Sequence, residues 1–538
     1  MARQQSLQQL KDGRIFDLIV IGGGATGCGV ALDAATRGMS VALIEKNDFS
    51  EGTSSRSTKL IHGGVRYLEL AIKKLDYRQY NLVRDGLRER GLLLKNARHL
   101  TNRLPLITPL YEWFDVPYVF SGLKLYDILS GRQNIGHSRL LSRKEALRRF
   151  PMLKAKGLKA GVLYYDGQFN DARMALSLAL TAQRYGAVII NHVAVTGLFK
   201  KSGTITGAKL SDSLTGEHWR LKARGVINAT GPFADQIRVM DNPAVARILS
   251  ASSGIHIVLD KAFAPPDTGL MIPETEDGRV LFVLPWEGHA LVGTTDEPAQ
   301  IDEHPLPLEA EIDYLLRHVT RYFNLQVKKS DIKATWSGLR PLVSDPRAVD
   351  TAKLARDHVI EVSESGLLTI AGGKWTTYRK MAQDTVDHAL KQFNLSAPKP
   401  TCQTRQLPIL GSADYNERGD LALSKKYGFA KDVASYLNRT YGDQADQVAA
   451  LAEAGYGARL VKKHPVLEAE VLYAARYELA ERVIDVLARR MPLAMLDNDA
   501  ARQAAPKVLK IMAEELGWDQ HRCNEETLLV EKRLSEAL

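Results

Sequence analysis

Three glycines, one acid and a cluster of hydroxyls mark where this chain could do chemistry. Gly22, Gly24 and Gly27 satisfy G-x-G-x-x-G, and Glu45 follows 18 residues beyond the last of them. In such a pattern the first glycine permits a tight turn and the second lets backbone approach a pyrophosphate at a helix N-terminus. The third lets helix and strand pack closely, and the acid accepts hydrogen bonds from a ribose. After Glu45 the chain runs NDFSEGTSSRSTKLIHGGVRYLE (47–69), too polar for a buried strand. A nicotinamide-binding domain would proceed here to another helix and strand. A Ser/Thr/Gly stretch instead exposes backbone donors along a buried ligand, which points to FAD. Two later segments fit the same ligand. INATGPFAD (227–235) reads as a strand end returning past the cofactor, and AGGKWTTYRK (371–380) as a strand-to-helix turn. Glycines at a helix N-terminus suit the flavin N1/C2 edge, where negative charge appears on reduction.

These residues need a scaffold, and the local patterns supply one. Residues 16–21 (FDLIVI) form a short apolar run ending in glycines, 28–38 (CGVALDAATRG) a small-residue helix, and 40–44 (SVALI) a second strand, which completes a βαβ unit. Segments of this texture at about 16–70, 160–235 and 360–390 are interrupted by different material, so the expected fold is α/β + α with a discontinuous Rossmann-like FAD-binding domain. Alternating runs at 254–259 (GIHIVL), 279–286 (RVLFVLPW) and 289–295 (HALVGTT) predict an antiparallel-sheet substrate domain over 243–357, with 71–159 assigned beside it. Residues 1–15 read as an N-terminal extension and 16–395 as the oxidoreductase region. Pro398, Pro400 and Pro408 punctuate a linker at 396–411, and 412–538 carry the helical spacing of a C-terminal domain.

A chain of 538 residues exceeds one hydrophobic core. Its 45% hydrophobic and 25% charged content is that of a globular protein, and its formal charge of +10 favours anionic partners. Cys28, Cys402 and Cys523 show no CxxC or Cys/His ligand spacing, which argues against a disulfide framework, a structural zinc site and an oxidising compartment. No run of about 18 apolar residues occurs and residues 1–14 lack an apolar signal core, so neither a membrane span nor conventional secretion is expected.

Several further segments carry a resemblance: SSRSTKLIHGGVRYLE, LDYRQYNLVRDGLRERGLLLKNARHL, PYVFSGLKLYD, YYDGQFNDARM, INATGPFAD, WSGLRPL, AGGKWTTYRKMA and YELAERVIDVLARR. In this order the chain resembles, over nearly its whole length, the FAD-dependent, quinone-linked glycerol-3-phosphate dehydrogenases of the D-amino-acid-oxidase-like flavoprotein group. The resemblance implies oxidation of glycerol 3-phosphate to dihydroxyacetone phosphate with electrons passed to a membrane quinone, and it leaves a homodimer open. It places Arg66, Tyr67, Arg340, Arg356 and Lys374 in the substrate pocket, where arginine forks suit a phosphate. His256 takes the role of general base, and Lys374 and Arg340 assist catalysis. The implied cofactor contacts are Gly22, Gly24, Ala25, Thr26, Gly27, Glu45, Thr53, Ser54, Ser55, Lys59, Leu60, His62, Gly63, Gly64, Val193, Ala229, Thr230, Gly231, Gly373, Lys374, Trp375 and Thr376. His62 shapes the flavin pocket. No metal is expected. A glycerophosphate oxidase shares the pocket and differs only in using oxygen. An amino-acid oxidase needs one carboxylate clamp rather than several converging cations. A flavin-containing RNA-binding protein would need basic clusters interleaved with aromatics, which the sequence lacks, so no nucleic-acid partner is expected.

The most aromatic stretch, 111–130 (YEWFDVPYVFSGLKLYDILS), is too short and too interrupted to span a bilayer. Beside Lys124 and Arg132 it is the expected anchor for peripheral attachment to the cytoplasmic face of the inner membrane, with a core helix or hairpin as the alternative.

Overall fold

The computed structural model describes residues 2–64, 77–276, 278–343 and 358–536. Its first sheet grows from the apolar run Ile15–Ile21, which pairs in parallel with Val41–Ile44 on one side and His218–Asn228 on the other. Val41–Ile44 is buried at all four positions, as a strand covered on both faces must be. The order across the sheet is His358–Val362, Leu367–Gly372, His218–Asn228, Ile15–Ile21, Val41–Ile44, Val188–Ile190. Thr204–Asp212 folds back antiparallel onto His218–Asn228, and Val193–Lys201 pairs antiparallel with Thr204–Asp212. Helix Ala25–Thr36 is made of small residues because another helix, Tyr378–Gln392, presses on it. A β-carbon on Gly29 would stand 2.8 Å from the Tyr378 ring.

The second sheet runs Glu297–Ala299, Leu249–Asp260, His289–Gly293, Leu281–Trp286, Gly269–Ile272, Thr101–Leu110, Ala160–Phe169, Leu60–Ile61, with Ile332–Val343 beside Leu249–Asp260. It is antiparallel except where Gly269–Ile272 meets Thr101–Leu110. The fold is thus a Rossmann-like FAD-binding domain assembled from separated segments, a largely antiparallel substrate sheet and a helical C-terminal domain.

Three boundaries differ from the sequence reading. Ala160–Phe169, assigned above to the cofactor segments, pairs residue for residue with Thr101–Leu110 in the second sheet, and the first sheet resumes only at Val188. Ala2–Lys11, read as part of an extension, is a helix. Its Leu7 and Leu10 join the core of the first sheet, and its Arg3 pairs with Asp212 at 3.1 Å. The linker packs as well: Leu407, Ile409 and Leu410 lie on the core around Ala25–Thr36.

The C-terminal helices share one hydrophobic cluster with the second sheet, in which Trp286, Trp336 and Tyr164 join Tyr436, Leu487 and Met495. A buried ionic knot ties the same helices to the loop after Glu45. Asp48 accepts from Arg489 Nε at 2.5 Å and from Arg490 Nη1 and Nη2 at 2.5 and 2.9 Å, and Asp485 pairs with His192 at 2.8 Å. Among the described residues no helix is long and apolar enough to cross a membrane.

Candidate functional site

A cavity of about 460 Å³ lies at the C-terminal ends of the parallel strands, where open α/β sheets bind ligands. Gly22, Gly24, Ala25, Thr26, Glu45, Thr53, Ser54, Val193, Ala229, Thr230, Gly231, Gly373, Lys374 and Trp375 line it. Gly22 turns at φ +105, and a β-carbon there would stand 2.7 Å from the Ala229 carbonyl oxygen. Gly24 begins the helix, where a β-carbon would meet the Ser54 hydroxyl at 3.0 Å. The helix N-terminus thus faces the cavity with no side chain from its own cap residue. Ser54 Oγ takes one free amide, that of Ala25, at 2.9 Å. Glu45 Oε2 accepts from Gly23 N at 2.5 Å and Oε1 from Asn47 N at 2.8 Å. Burial pushes this carboxyl up to about 7 against the lowering pull of the two amides. A bare helix N-terminus and an acid one strand away fit a dinucleotide.

Other expected contacts sit behind this lining. Gly27 is a packing residue: a β-carbon would fall 1.8 Å from the Gly22 carbonyl oxygen. Lys59 is buried, bonds Asp171 at 2.7 Å and the Ser55 carbonyl at 2.5 Å, and lies about 5 Å from the rings of Trp286 and Trp336. An ammonium so enclosed braces the loop and is not at the cavity wall. Leu60 is a buried strand residue facing Gln168, and Ser55 is buried beside Lys59. The His62 amide donates to Thr376 Oγ1 at 3.3 Å, and Gly63 packs on Leu87 while its amide bonds Tyr126 OH at 2.7 Å. Gly64 turns at φ +87. Arg66, Tyr67 and Arg356 lie outside the described residues. The lining also includes Gln236, Ile237 and Met240, on one face of helix Ala234–Asp241, which helical spacing after Gly231 would have exposed, and Glu303, for which no sequence signal exists.

The substrate candidates sit on one face of the second sheet. His256 is opposite Trp336, Gly254 opposite Gly338 and Ser252 opposite Arg340, so histidine and arginine share a face with two glycines between them. Glycine on this sheet leaves room for both side chains. A β-carbon on Gly293 would stand 2.1 Å from the His256 ring, and one on Gly254 would stand 2.3 Å from Arg340 Nη2, because the guanidinium leans back toward His256. Arg340 bonds the Ser253 and Thr295 carbonyls at 3.1 and 2.9 Å, Thr294 Oγ1 at 3.2 Å and Asp296 at 3.1 Å. His256 stacks on Trp336 and its Nε2 meets Thr58 Oγ1 at 3.0 Å. Burial, then the charges of Lys59 and Arg340, hold its pKa well below the usual histidine range. The cofactor loop is stitched to this face: Thr53 Oγ1 donates to the Leu339 carbonyl at 2.6 Å and Arg56 to that of Ser337 at 3.0 Å. Lys374 follows the Leu367–Gly372 strand into the cavity, and Trp375 Nε1 donates to the Ser54 carbonyl at 2.8 Å.

Comparison with known proteins agrees with this geometry. Residues 17–379 match the family described as FAD dependent oxidoreductase, and 402–523 match the C-terminal domain of alpha-glycerophosphate oxidase. The mitochondrial glycerol-3-phosphate dehydrogenase of Mus musculus is 47% identical over 539 residues, covering 98% of this chain and 74% of its own. The probable mitochondrial enzyme of Caenorhabditis elegans is 49% identical, covering 96% and 73%. Among solved structures, the glycerol-3-phosphate dehydrogenase of Bacillus halodurans complexed with FAD superposes with a TM-score of 0.81 at 30% identity, over 100% of this chain and 98% of that one. With a cradle that fits a dinucleotide and relatives of this closeness, the chain belongs to the FAD-dependent glycerol-3-phosphate dehydrogenase family, and its cofactor is FAD.

Proposed function

We propose that this protein oxidises sn-glycerol 3-phosphate to dihydroxyacetone phosphate and delivers the electrons to a membrane quinone. The observation that carries the reading is the stitching of the cofactor loop to the sheet face that bears His256 and Arg340. Bound FAD supplies the acceptor for the two electrons that leave with the C2 hydrogen. The chain's residues do the rest. Arg340 and Lys374 offer positive charge to the phosphate and the substrate oxygen. His256 takes the hydroxyl proton. Its Nε2 shares a hydrogen bond with the Thr58 hydroxyl, which can donate or accept, and its Nδ1 is a buried atom with no hydrogen-bond partner among the described residues. Anaerobic mixing of the yellow holoprotein with sn-glycerol 3-phosphate should bleach the flavin, and a quinone analogue should then restore it faster than oxygen. Faster reoxidation by oxygen would assign the protein to the oxidase chemistry instead, and no bleaching would exclude the substrate.

Attachment to the cytoplasmic face of the inner membrane follows from the same reading, since a quinone is confined to lipid. Helix Asp115–Ser130 offers the surface. Phe114 is 91% exposed, Ile128 72% and Trp113 63%, and Tyr118 stands beside them in the open, while Lys124 lies over the Phe120 ring. Its other face is core: Leu123 and Tyr126 are buried and Phe120 is half-buried on the C-terminal cluster, so Phe120 belongs to packing more than to the anchor. Tyr126 OH links this helix to Gly63 and to Asp166, joining the surface to the cofactor loop. Replacing Trp113, Phe114 and Tyr118 by Ser should release the protein from anionic vesicles and slow quinone reduction while a soluble dye is reduced at the parental rate. A triple variant that binds vesicles as well as the parent removes this helix from the role.

A further inference from the structure

Away from the flavin, the turn of the Leu281–Trp286 and His289–Gly293 hairpin meets the C-terminal helices. Three side chains from three separate elements converge there. His289 opens the second strand of the hairpin, His464 lies in the turn that precedes Pro465, and Asp497 caps helix Asn498–Leu516. One ligand atom from each lies within 4.8 Å of the others, with His464 Nε2 3.8 Å from Asp497 Oδ2. The two imidazoles are parallel, 5.7 Å apart and 7° from coplanar orientation.

Two of the donors are fixed from behind in the way a ligand needs, and the turn that carries the third is braced. His289 Nδ1 lies 3.0 Å from the Glu287 carbonyl, an acceptor only, so Nδ1 carries the proton and the lone pair rests on Nε2. Asp497 spends Oδ1 on the Ala500 amide at 3.0 Å, which leaves Oδ2 toward His464. The His464 turn is held by Arg459, which bonds the His464 carbonyl at 3.0 Å and Asp432 through both guanidinium arms at 2.7 Å. His289 also lines a cavity of about 1220 Å³.

We propose that His289, His464 and Asp497 bind a divalent transition-metal ion, zinc by the chemistry of the donors, and that the ion staples the substrate sheet to the C-terminal helices. Two imidazoles and one carboxylate are a zinc donor set with a fourth position for water, whereas calcium and magnesium take oxygen ligands. A tetrahedral ion with bonds of about 2.0–2.1 Å holds its ligand atoms about 3.4 Å apart. The His464–Asp497 pair is already close to that, and a small shift of the hairpin tip that carries the half-buried His289 and Glu287 together closes the remainder.

The test uses FAD-loaded protein stripped with a chelator and then titrated with zinc chloride. The parent should bind one equivalent more than the His289→Gln/His464→Gln double variant, and its melting temperature should rise with zinc while that of the variant does not. Cobalt in place of zinc should give the visible absorption of a four-coordinate site in the parent alone. His289→Gln, at a half-buried hairpin tip, keeps the test open should the double variant fold poorly, with flavin content as the measure of folding. Equal zinc stoichiometry in the parent and a folded variant, or no binding by the parent at micromolar zinc, overturns the site.

Discussion

The His256→Ala protein is expected to keep its FAD and to be reduced by glycerol 3-phosphate about 10²–10⁴-fold more slowly than the parent, the usual contribution of a positioned general base. Its surroundings keep the ring in the unprotonated form that can accept a proton. Burial, reinforced by the Lys59 and Arg340 charges, holds it neutral, and the gap opened by Gly293 fixes its place on the sheet. His256→Gln separates chemistry from packing, because glutamine fills the gap and can still bond Thr58 but has no basic nitrogen. It should be as slow as alanine. Rapid-mixing measurement of flavin bleaching checks both, and a parental rate in either variant removes His256 from the reaction. The pH dependence has a definite sign. The folded pKa lies well below 6.5, so the neutral form persists and the parental reduction rate should stay level from pH 8 to 6. The unfolded chain takes up this proton near 6.5. Stability from the buried neutral ring is therefore whole above that pH and declines as pH falls below it.

Asp48→Ala is expected to lose about 3–5 kcal/mol of stability, the penalty for breaking a buried ion pair by removing one partner. Both Arg489 and Arg490 are buried, and Asp48 is the carboxylate they share. Arg489 would keep Asp485 at 2.7 Å, and Arg490 would keep the Glu478 carbonyl, so the charges would be under-compensated rather than bare. The damage should reach the cofactor, because Asp48 follows Asn47 and precedes Ser50, both in the cavity lining. Urea unfolding followed by fluorescence, with FAD content after gel filtration, measures the two effects. Asp48→Asn, which keeps two hydrogen-bonding atoms, should fall between. A variant as stable and as yellow as the parent would show that the knot does not hold the loop.

What the sequence could reveal was set by distance along the chain. The βαβ unit, Glu45 and the strand-to-helix turn at Lys374 are local patterns, and all stand at the cavity. The loop after Glu45 was legible as a ligand wrapper, but the part played by each residue was not. Lys59 is flanked by the same hydroxyls as Ser54, yet it turns inward to Asp171, 112 residues away. The glycine gap between His256 and Arg340 depends on register between strands some 80 residues apart, and no window of sequence displays register. Asp48 is separated by 441 residues from Arg489, and single-sequence patterns carry no trace of such a pairing. In the aromatic stretch composition marked a special surface, but only the fold distinguishes exposed Phe114 from buried Tyr126.

The strand order of the first sheet also dictates when this protein can be born. Ile15–Ile21 and the glycine turn leave the ribosome early, but the sheet interior is incomplete until Leu367–Gly372 lies against His218–Asn228. One flank of the helix that carries the pyrophosphate cradle stays uncovered until Tyr378–Gln392 has emerged. At about 5–20 residues per second, that interval is roughly 20–70 s of translation. Throughout it the nascent chain presents half-built apolar layers, which is the exposure chaperones exist to shield, and the flavin cradle is complete only once the chain through Gln392 has emerged.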